Sequence, residues 1–332
     1  MTVFHLLLLP LVAMEHVLSI MNPFELIDLS LTSSRVKRAV KTFLRIRNRF
    51  RITLDIYVHP GIKISGEYES WKYCWTSDES KVGYETDSNY GSHEIVKFSK
   101  NPMEELKRSH DYFKEILNCS FETLFYELDS FPSENESITD WLRSQYESVH
   151  LMEVVSDLEG FDDDLKYLVT SFKISGILSI SVPSYGENFQ MEIPESIYCL
   201  NLSSSSFIGY EQFQKLKQSE IILHGSILTD QEINCFLKSW MSMESHLELE
   251  LFRIRTSGPE AKDVIMDVPH EVTTEPSVLK MLNESVIFSI FFEYEELLDS
   301  FITLTLNVDS TSKEPMARWL LCVSEIVLIF FI

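Results

Sequence analysis

The chain has 332 residues, which is more than a single domain usually contains, so two folded units are expected. Hydrophobic residues make up 45% of the sequence and charged residues 24%, a balance that is typical of a soluble globular protein. The formal net charge of −23 excludes non-specific binding of DNA or RNA as the main function, because basic surfaces supply most of that affinity.

An apolar run, "MTVFHLLLLPLVAM", opens the chain at residues 1–14. It lacks the basic residues that begin an export signal, Pro10 interrupts it, and Glu15 follows in place of a cleavage site. It is also shorter than the roughly 20 apolar residues that cross a membrane. The five cysteines include no CxxC pair, which indicates a reducing compartment. We therefore expect a cytoplasmic or nuclear protein, and secretion or membrane tethering is the weaker alternative.

Three short helices are predicted between residues 10 and 45. Pro10 suits the first turn of a helix whose apolar stripe consists of Met14, Val17, Leu18 and Met21. Asn22, Pro23 and Glu25 predict a capping box that starts a second helix. The sequence "TSS" at 32–34 caps a third helix with the stripe Val36, Ala39, Val40 and Phe43. About 40 residues are too few to bury a good core, so this module needs a partner or a neighbouring domain.

The order of these residues resembles the F-box motif over residues 4–45. The segments that carry the resemblance are "LP" at 9–10, "VLSIMNP" at 17–23 and "FELIDLSLTSSR" at 24–35, and their wording is most similar to the large nematode F-box families. The resemblance implies binding to the Skp-type adaptor of a cullin-RING ubiquitin ligase and, through it, to a cullin. By matching positions it implies adaptor-facing or F-box-core roles for Leu9, Pro10, Val17, Leu18, Met21, Pro23, Leu26 and Leu29. The plainer alternative is an N-terminal helical cap on the following domain.

Residues 46–117 are predicted to link the module to the rest of the chain. "RFRITLDIYV" indicates a strand, and the segment rich in Tyr, Trp and Ser that follows is typical of a β-hairpin. We expect its aromatic residues to pack in a core rather than to form a ligand cage: Tyr68, Trp71, Tyr73 and Trp75. A helix is predicted at 102–117.

Strands alternate with helices in the predicted domain at 118–310. The strand-like runs are "FETLFYEL", "VHLMEVV", "FKISGILSI", "SIYCLNL", "SEIILHG" and "HLELELF". Thr229 and Glu232 form a capping box before a helix with the stripe Ile233, Phe236, Leu237 and Trp240. Ser137 and Asp140 occupy the box positions of another helix, "SITDWLRSQY".

The spacing of the later strands predicts a repeat. Leu202, Leu223 and Leu249 are 21 and 26 residues apart, within the range of leucine-rich repeats, although the repeat Asn is missing. Another α/β fold with short parallel units remains an alternative. The segment 228–254, followed by "VIMDVPHE" at 264–271, resembles the F-box-associated domain, which implies target binding and no catalytic residues. The fold class is therefore α+β or α/β, a three-helix F-box followed by a leucine-rich-repeat-like strand-helix domain.

The sequence contains no motif for phosphate cradling, nucleophilic catalysis or zinc hydrolysis. "DDD" at 162–164 is more typical of a helix start than of a cation site. Residues 311–332 form an apolar tail that is too short for a membrane span. We therefore predict a non-enzymatic protein without cofactor or metal, which is either a ligase substrate receptor for an unknown protein target or an interaction module with a helical cap.

Overall fold

The computed structural model describes residues 6–46, 50–87, 91–254, 261–265 and 267–268, together with the backbone alone of five strands between residues 271 and 331. The chain divides into two compact units, Met1–Ser133 and Glu134–Ile332. The sequence predicts a finer division than these two units, into the segments 4–45, 46–117, 118–310 and 311–332. That finer division stays a prediction.

Three helices follow a short 3-10 turn at Leu6–Leu8, and we call the turn and the three helices together the three-helix module. Their bounds are α1 Leu11–Ile20, α2 Pro23–Leu31 and α3 Ser34–Ile46. The predicted capping box is confirmed, because the Asn22 side chain accepts from the Glu25 amide and the Glu25 carboxylate accepts from the Asn22 amide, each at 2.9 Å. Ser33 accepts from the Val36 amide at 3.3 Å and starts α3. Local signals therefore fix where these helices begin, and the N-terminal helices are confirmed.

Six strands form the sheet of the first unit. Their bounds are β1 Arg51–Ile56, β2 Gly61–Ser65, β3 Ser70–Thr76, β4 Gly83–Asp87, β5 Ser92–Phe98 and β6 Ser120–Glu127, in the order β6-β1-β2-β3-β5-β4. Strands β1, β2 and β3 are antiparallel, whereas β6 runs parallel to β1 and β5 parallel to β3. The predicted helix is α4, Pro102–Leu117, which connects β5 to β6. In the segment 66–93, where a hairpin is expected, β4 pairs antiparallel with the next strand, β5, and β5 lies between β3 and β4.

The aromatic residues of β3 form the core between this sheet and the helices. The Tyr73 ring lies 4.7 Å from that of Phe24 on α2 and 5.0 Å from that of Phe113 on α4, measured between centroids. Trp71, Tyr73 and Trp75 are buried, as expected for packing residues. Tyr68, in contrast, is 83% exposed, because it lies in the turn between β2 and β3. In that turn the Gly66 amide donates a hydrogen bond to the Glu69 carbonyl at 2.9 Å.

From residue 135 to residue 265 the second unit alternates helices with parallel strands, except that the strands Lys173–Ser181 and Cys199–Leu202 have no helix between them. The elements are α5 Asn135–Gln145, β7 Ser148–Val155, α6 Asp162–Ser171, β8 Lys173–Ser181, β9 Cys199–Leu202, α7 Tyr210–Phe213, β10 Glu220–Leu223, α8 Asp230–Met241, β11 Leu251–Ile254 and α9 Ala261–Ile265. Each strand from β7 to β11 pairs in parallel with the next one along the chain. The prediction of a mixed α and β domain after the helices is therefore confirmed. The strand predicted from residue 246 starts only at Leu251, since His246 has a φ of 50° and forms part of a turn.

Capping signals gave one correct helix start and one wrong one in this unit. At α8, Thr229 accepts from the Glu232 amide at 3.3 Å and Glu232 accepts from the Thr229 amide at 2.8 Å, as predicted. The capping box predicted at Ser137 is wrong, because α5 already begins at Asn135 and Ser137 donates to the Glu134 carbonyl within its first turn. A Ser three residues before an acid is therefore a weaker signal inside a polar run.

The last strands form an antiparallel sheet described by its backbone. They are β12 Glu271–Thr273, β13 Phe288–Phe292, β14 Ser300–Val308, β15 Ala317–Val323 and β16 Ile326–Phe331, in the order β12-β16-β15-β14-β13. The side chains of the predicted apolar tail, 311–332, lie outside the described residues. In the part of the chain that the structure describes, no helix is both long and apolar enough to cross a membrane.

Candidate partner-binding surface

Large apolar side chains are exposed throughout the three-helix module. Four of them lie together at the 3-10 turn and the first turn of α1, and three lie at the ends of α1, α2 and α3. These residues and their exposed fractions are Leu7 42%, Leu8 79%, Leu11 64%, Val12 78%, Ile20 72%, Leu31 64% and Ile46 75%. Several large apolar side chains exposed on a small module are a feature of protein interaction sites.

A groove of about 280 Å³ lies between α1 and α3. Its apolar lining includes Leu11 and Met14 from α1 and Phe43 and Ile46 from α3. Arg35 and Arg38 of α3 also line it, as do the residues Glu15, Ala39 and Thr42. The groove therefore combines apolar side chains with two guanidinium groups.

The basic residues of α3 divide between two roles. Lys37 and Lys41 form ion pairs with Glu115 of α4 at 2.9 and 3.1 Å, and the Lys37 ammonium lies 4.6 Å from the centre of the Tyr112 ring. These two lysines therefore tie α3 to α4. Arg35 and Arg38 instead line the groove. One basic side of α3 therefore contacts α4, and another basic side of the same helix faces the groove.

The eight residues to which the resemblance gave a role are divided by the structure into buried and accessible groups. Leu18, Pro23 and Leu26 are buried, and Leu18 and Leu26 are 0% exposed, which suits the F-box-core role rather than direct contact with a partner. Pro10 is exposed, and the remaining four are half-buried: Leu9, Val17, Met21 and Leu29. Their contact with an adaptor stays a prediction.

The module is anchored to the rest of the first unit through buried contacts. Ser30 on α2 and Tyr112 on α4 share a hydrogen bond of 2.8 Å between their hydroxyl groups. Phe24 packs edge-on against Tyr73 of β3 at 4.7 Å. The buried side of the module is therefore a shared core, and its exposed apolar side is what remains for a partner.

Three cysteines, Cys74, Cys119 and Cys199, are poor candidates for nucleophilic chemistry. Burial raises the pKa of the Cys119 thiol to about 12 and that of the Cys199 thiol to about 12 as well. Burial also raises the pKa of the Cys74 thiol. A thiol with a raised pKa stays protonated near neutral pH and is a weak nucleophile. Among the described residues, no group of three or more His, Cys, Asp and Glu side chains could hold a metal ion.

Sequence reasoning missed the exposed apolar residues that the module presents. Leu8, Val12 and Ile20 lie off the predicted stripe of the first helix, and all three are more than 70% exposed. The signal was available, since apolar residues beyond those needed for one buried stripe indicate a second covered face. The motif match instead drew attention to Leu18 and Leu26, which are core residues.

Family comparisons agree with this arrangement. Residues 6–48 match the family described as F-box domain, and residues 188–254 match the family described as F-box associated. The chain carries an F-box domain and an F-box-associated domain. The first match covers the three-helix module, and the second covers β9 to β11 with α7 and α8. Searches of curated proteins and of solved structures found no significant match.

Proposed function

We propose that the protein is a non-catalytic substrate-recognition subunit of an SCF-type cullin-RING ubiquitin ligase. Its F-box domain binds a Skp-type adaptor, and through it a cullin, while the second unit binds a target protein. F-box domains generally bind such adaptors, and the match at 6–48 supports this role. The observation that carries the proposal is the exposed apolar surface of the module, which includes Leu8, Val12 and the groove between α1 and α3. The protein would act inside the cell, where this ligase operates.

The mechanism is proximity rather than chemistry by this chain. A receptor that holds a target near the charged conjugating enzyme raises the effective concentration of the target's lysines. The receptor therefore needs two separate binding surfaces and no nucleophile, cofactor or metal of its own. The raised pKa of the Cys119 thiol fits a chain that leaves catalysis to its partners.

The domain assignment and the repeat character form part of the proposal. The F-box occupies residues 4–45, a linking region follows at 46–117, a leucine-rich-repeat-like F-box-associated domain occupies 118–310, and residues 311–332 are a separate apolar tail. The support is the order of the strands, since each of β7 to β11 is the parallel neighbour of the next. Stacked strand-helix units bury their apolar faces against each other in this manner.

A specific observation favours a second candidate function. The three-helix module shares a core with the first unit through the Phe24 and Tyr73 rings and the Ser30 and Tyr112 hydroxyls. A module attached in this way could be a cap, and the protein would then be an interaction module without a ligase role. Deleting residues 1–45 does not separate the two functions, because deletion would expose Tyr73 and Phe113 in either case.

Substitutions on the exposed side of the module distinguish the ligase receptor from the interaction module with a helical cap. We expect Leu8→Asp with Val12→Asp to weaken capture of a purified Skp-type adaptor at least about tenfold, because both side chains are exposed and an interface carboxylate would lose its water. Val58→Asp with Leu247→Asp is the matched control, since these apolar residues are 61% and 65% exposed outside the module. The control should bind the adaptor normally, and all proteins should keep the wild-type circular dichroism spectrum.

Two outcomes would count against the receptor. Adaptor capture that is unchanged in Leu8→Asp with Val12→Asp would show that this surface is not the adaptor site. Absence of any adaptor binding by the folded wild-type chain would favour the cap.

A further inference from the structure

Three aromatic rings meet at the carboxyl ends of β8 and β9 in the second unit. Tyr185 and Phe189, in the loop after β8, stack with ring centroids 4.5 Å apart and planes 8° from parallel. Phe207, in the loop after β9, stands edge-on to both rings at 4.9 and 5.1 Å. All three residues are half-buried, so each of them is partly exposed to solvent. We call these three residues the aromatic cluster, an apolar patch whose ring positions are fixed by mutual packing.

Carboxylates lie beside the aromatic cluster. Residues 156–164 and 182–189, which follow β7 and β8, contain six Asp and Glu and no Lys or Arg, and we call these two segments the acidic rim. Two hydrogen bonds hold the segments together. The Gly186 amide donates to Asp162 at 2.8 Å, and the Ser184 hydroxyl donates to Glu159 at 2.7 Å. The loop that carries Tyr185 and Phe189 is therefore fastened to the loop that carries most of the negative charge.

The negative charge of the acidic rim acts on one ring of the aromatic cluster, that of Tyr185. Burial raises the pKa of the Tyr185 hydroxyl, and the Asp162 carboxylate raises it further. The phenol therefore stays neutral, and its ring lies in the field of a nearby negative charge. A negative environment and an accessible ring face both favour a cation over the ring.

We propose that the aromatic cluster and the acidic rim together form the target-binding surface of the second unit, and that the target presents an extended segment bearing Lys or Arg. This inference rests on the proposed function, because it names the class of target for that receptor. Ammonium and guanidinium groups gain attraction from ring faces and form charge-assisted hydrogen bonds with carboxylates. The rim would also speed encounter with basic segments and reject acidic ones.

An apolar or acidic partner fits this surface less well. A purely apolar segment would contact the three rings but would also strip water from neighbouring carboxylates such as Asp163 and Glu187, without pairing them. An acidic segment would meet like charge on both loops. Charge complementarity therefore selects the basic segment among protein partners.

Fluorescence anisotropy of the full chain with labelled peptides tests the surface. We expect a peptide of alternating Arg and Ser to bind, and peptides in which Gln or Glu replaces Arg to bind weakly or not at all. Phe207→Leu keeps an apolar side chain but removes a ring face, and it should weaken the Arg peptide by about fivefold. Phe207→Ala should weaken it by at least as much, and both variants should keep the wild-type circular dichroism spectrum.

A pair of charge reversals separates this surface from general attraction to an acidic protein. Asp163→Lys with Glu187→Lys changes two exposed carboxylates of the acidic rim and should weaken the Arg peptide by about tenfold or more. Glu244→Lys with Glu248→Lys changes the net charge equally at exposed residues in the turn before β11, at the amino ends of the strands. This control should bind the peptide with nearly wild-type affinity.

The outcomes distinguish the inference from the proposed function. Equal weakening in the two charge-reversed proteins, or unchanged binding by Phe207→Leu, would overturn the surface. Adaptor capture is measured in the same proteins. A wild-type chain that captures the adaptor but does not bind the Arg peptide refutes this inference alone. Peptide binding by a wild-type chain that captures no adaptor supports the surface and refutes the ligase role alone.

Discussion

Helices α2 and α8 carry the same sequence signals but lie in different surroundings. Each begins with a reciprocal capping box, formed by Asn22 with Glu25 and by Thr229 with Glu232. The predicted stripe of α8 is almost wholly covered, with exposed fractions of 1% to 3% for Ile233, Phe236, Leu237 and Trp240. The module that contains α2 buries its core residues too, but leaves seven large apolar side chains exposed. A capping box and a stripe therefore predict a helix and its buried face, whereas surplus apolar residues predict an interface.

The two regions also differ in charge. The segment 35–51, which includes most of α3, contains eight Lys and Arg and no acid, whereas the acidic rim contains six acids and no Lys or Arg. A chain with a net charge of −23 thus concentrates basic residues in one segment of the first unit and acidic residues in two segments of the second. We expect the groove lined by Arg35 and Arg38 and the acidic rim to prefer partners that differ in charge, which would keep the adaptor and the target from competing for one site.

The largest effect is expected from a charge placed in the buried part of the module. Leu26 is 0% exposed, so Leu26→Asp should destabilise the first unit by more than about 4 kcal/mol, because a buried carboxylate without a partner is costly. Limited proteolysis and thermal denaturation followed by circular dichroism would show early cleavage and a lower Tm. Leu26→Asp therefore tests the fold of the module, and loss of adaptor capture in this variant would not locate the interface.

The control for Leu26→Asp is the same substitution at an exposed residue of the module. Leu8→Asp lies at a residue that is 79% exposed, and its Tm should stay near that of the wild type. A Leu26→Asp protein that melts like the wild type would contradict the burial of α2, and with it the division of the module into a core side and a partner side.

A smaller but still large loss is expected in the second unit. Trp240 is 3% exposed and its ring stacks with that of Phe236 at 6.2 Å between centroids. Trp240→Ala should lower stability by about 3–5 kcal/mol through lost burial and a cavity, visible as a lower Tm and faster proteolysis. Leu247→Ala, at a residue that is 65% exposed, is the control and should have little effect. The Trp240→Ala protein should still capture the adaptor. If it does not, adaptor binding by the first unit depends on the fold of the second unit.

Much of the fold could be predicted because its signals are local. The capping boxes at Asn22 and Thr229, the stripe of α8 and the runs of β7 and β8 are each readable within about 15 residues. The order of the strands could not be read in this way. The place of β5 between β3 and β4 depends on pairing between residues that are distant along the chain, for which the sequence pattern carries no register.

The candidate surfaces were harder to predict than the elements that carry them. Whether Leu18 or Val12 faces a partner depends on which side of α1 the neighbouring helices cover, and a motif match does not report this. The aromatic cluster was missed for a similar reason. Phe207 is separated by 22 residues from Tyr185, and only the pairing of β8 with β9 brings their loops together. Contacts of this kind follow from tertiary packing and not from local periodicity.

The smallest predicted effect is a loss of stability at mildly acidic pH, for which one histidine in each unit is responsible, buried in the first unit and half-buried in the second. His110 on α4 is 0% exposed, and burial lowers its pKa below the ordinary 6.5, although Asp111 at 3.2 Å offsets part of that change. In the second unit His246 packs against the Phe213 and Phe236 rings at 5.2 and 5.0 Å, and burial lowers its pKa as well, despite its hydrogen bond to the Phe213 carbonyl.

The sign of the effect follows from proton binding. Since the lowered pKa values belong to the folded state, the unfolded chain binds more protons than the folded chain as the pH falls below about 6.5, and stability decreases until the folded histidines are protonated too. Urea denaturation between about pH 7 and pH 5 should therefore show a falling midpoint, and His110→Gln or His246→Gln should each flatten that fall by removing one titrating group. His16→Gln, at an exposed residue of α1, is the control and should keep the full pH dependence. If the urea midpoint falls equally steeply with pH in all three variants, other titrating groups cause the loss of stability, and the role of His110 and His246 is contradicted.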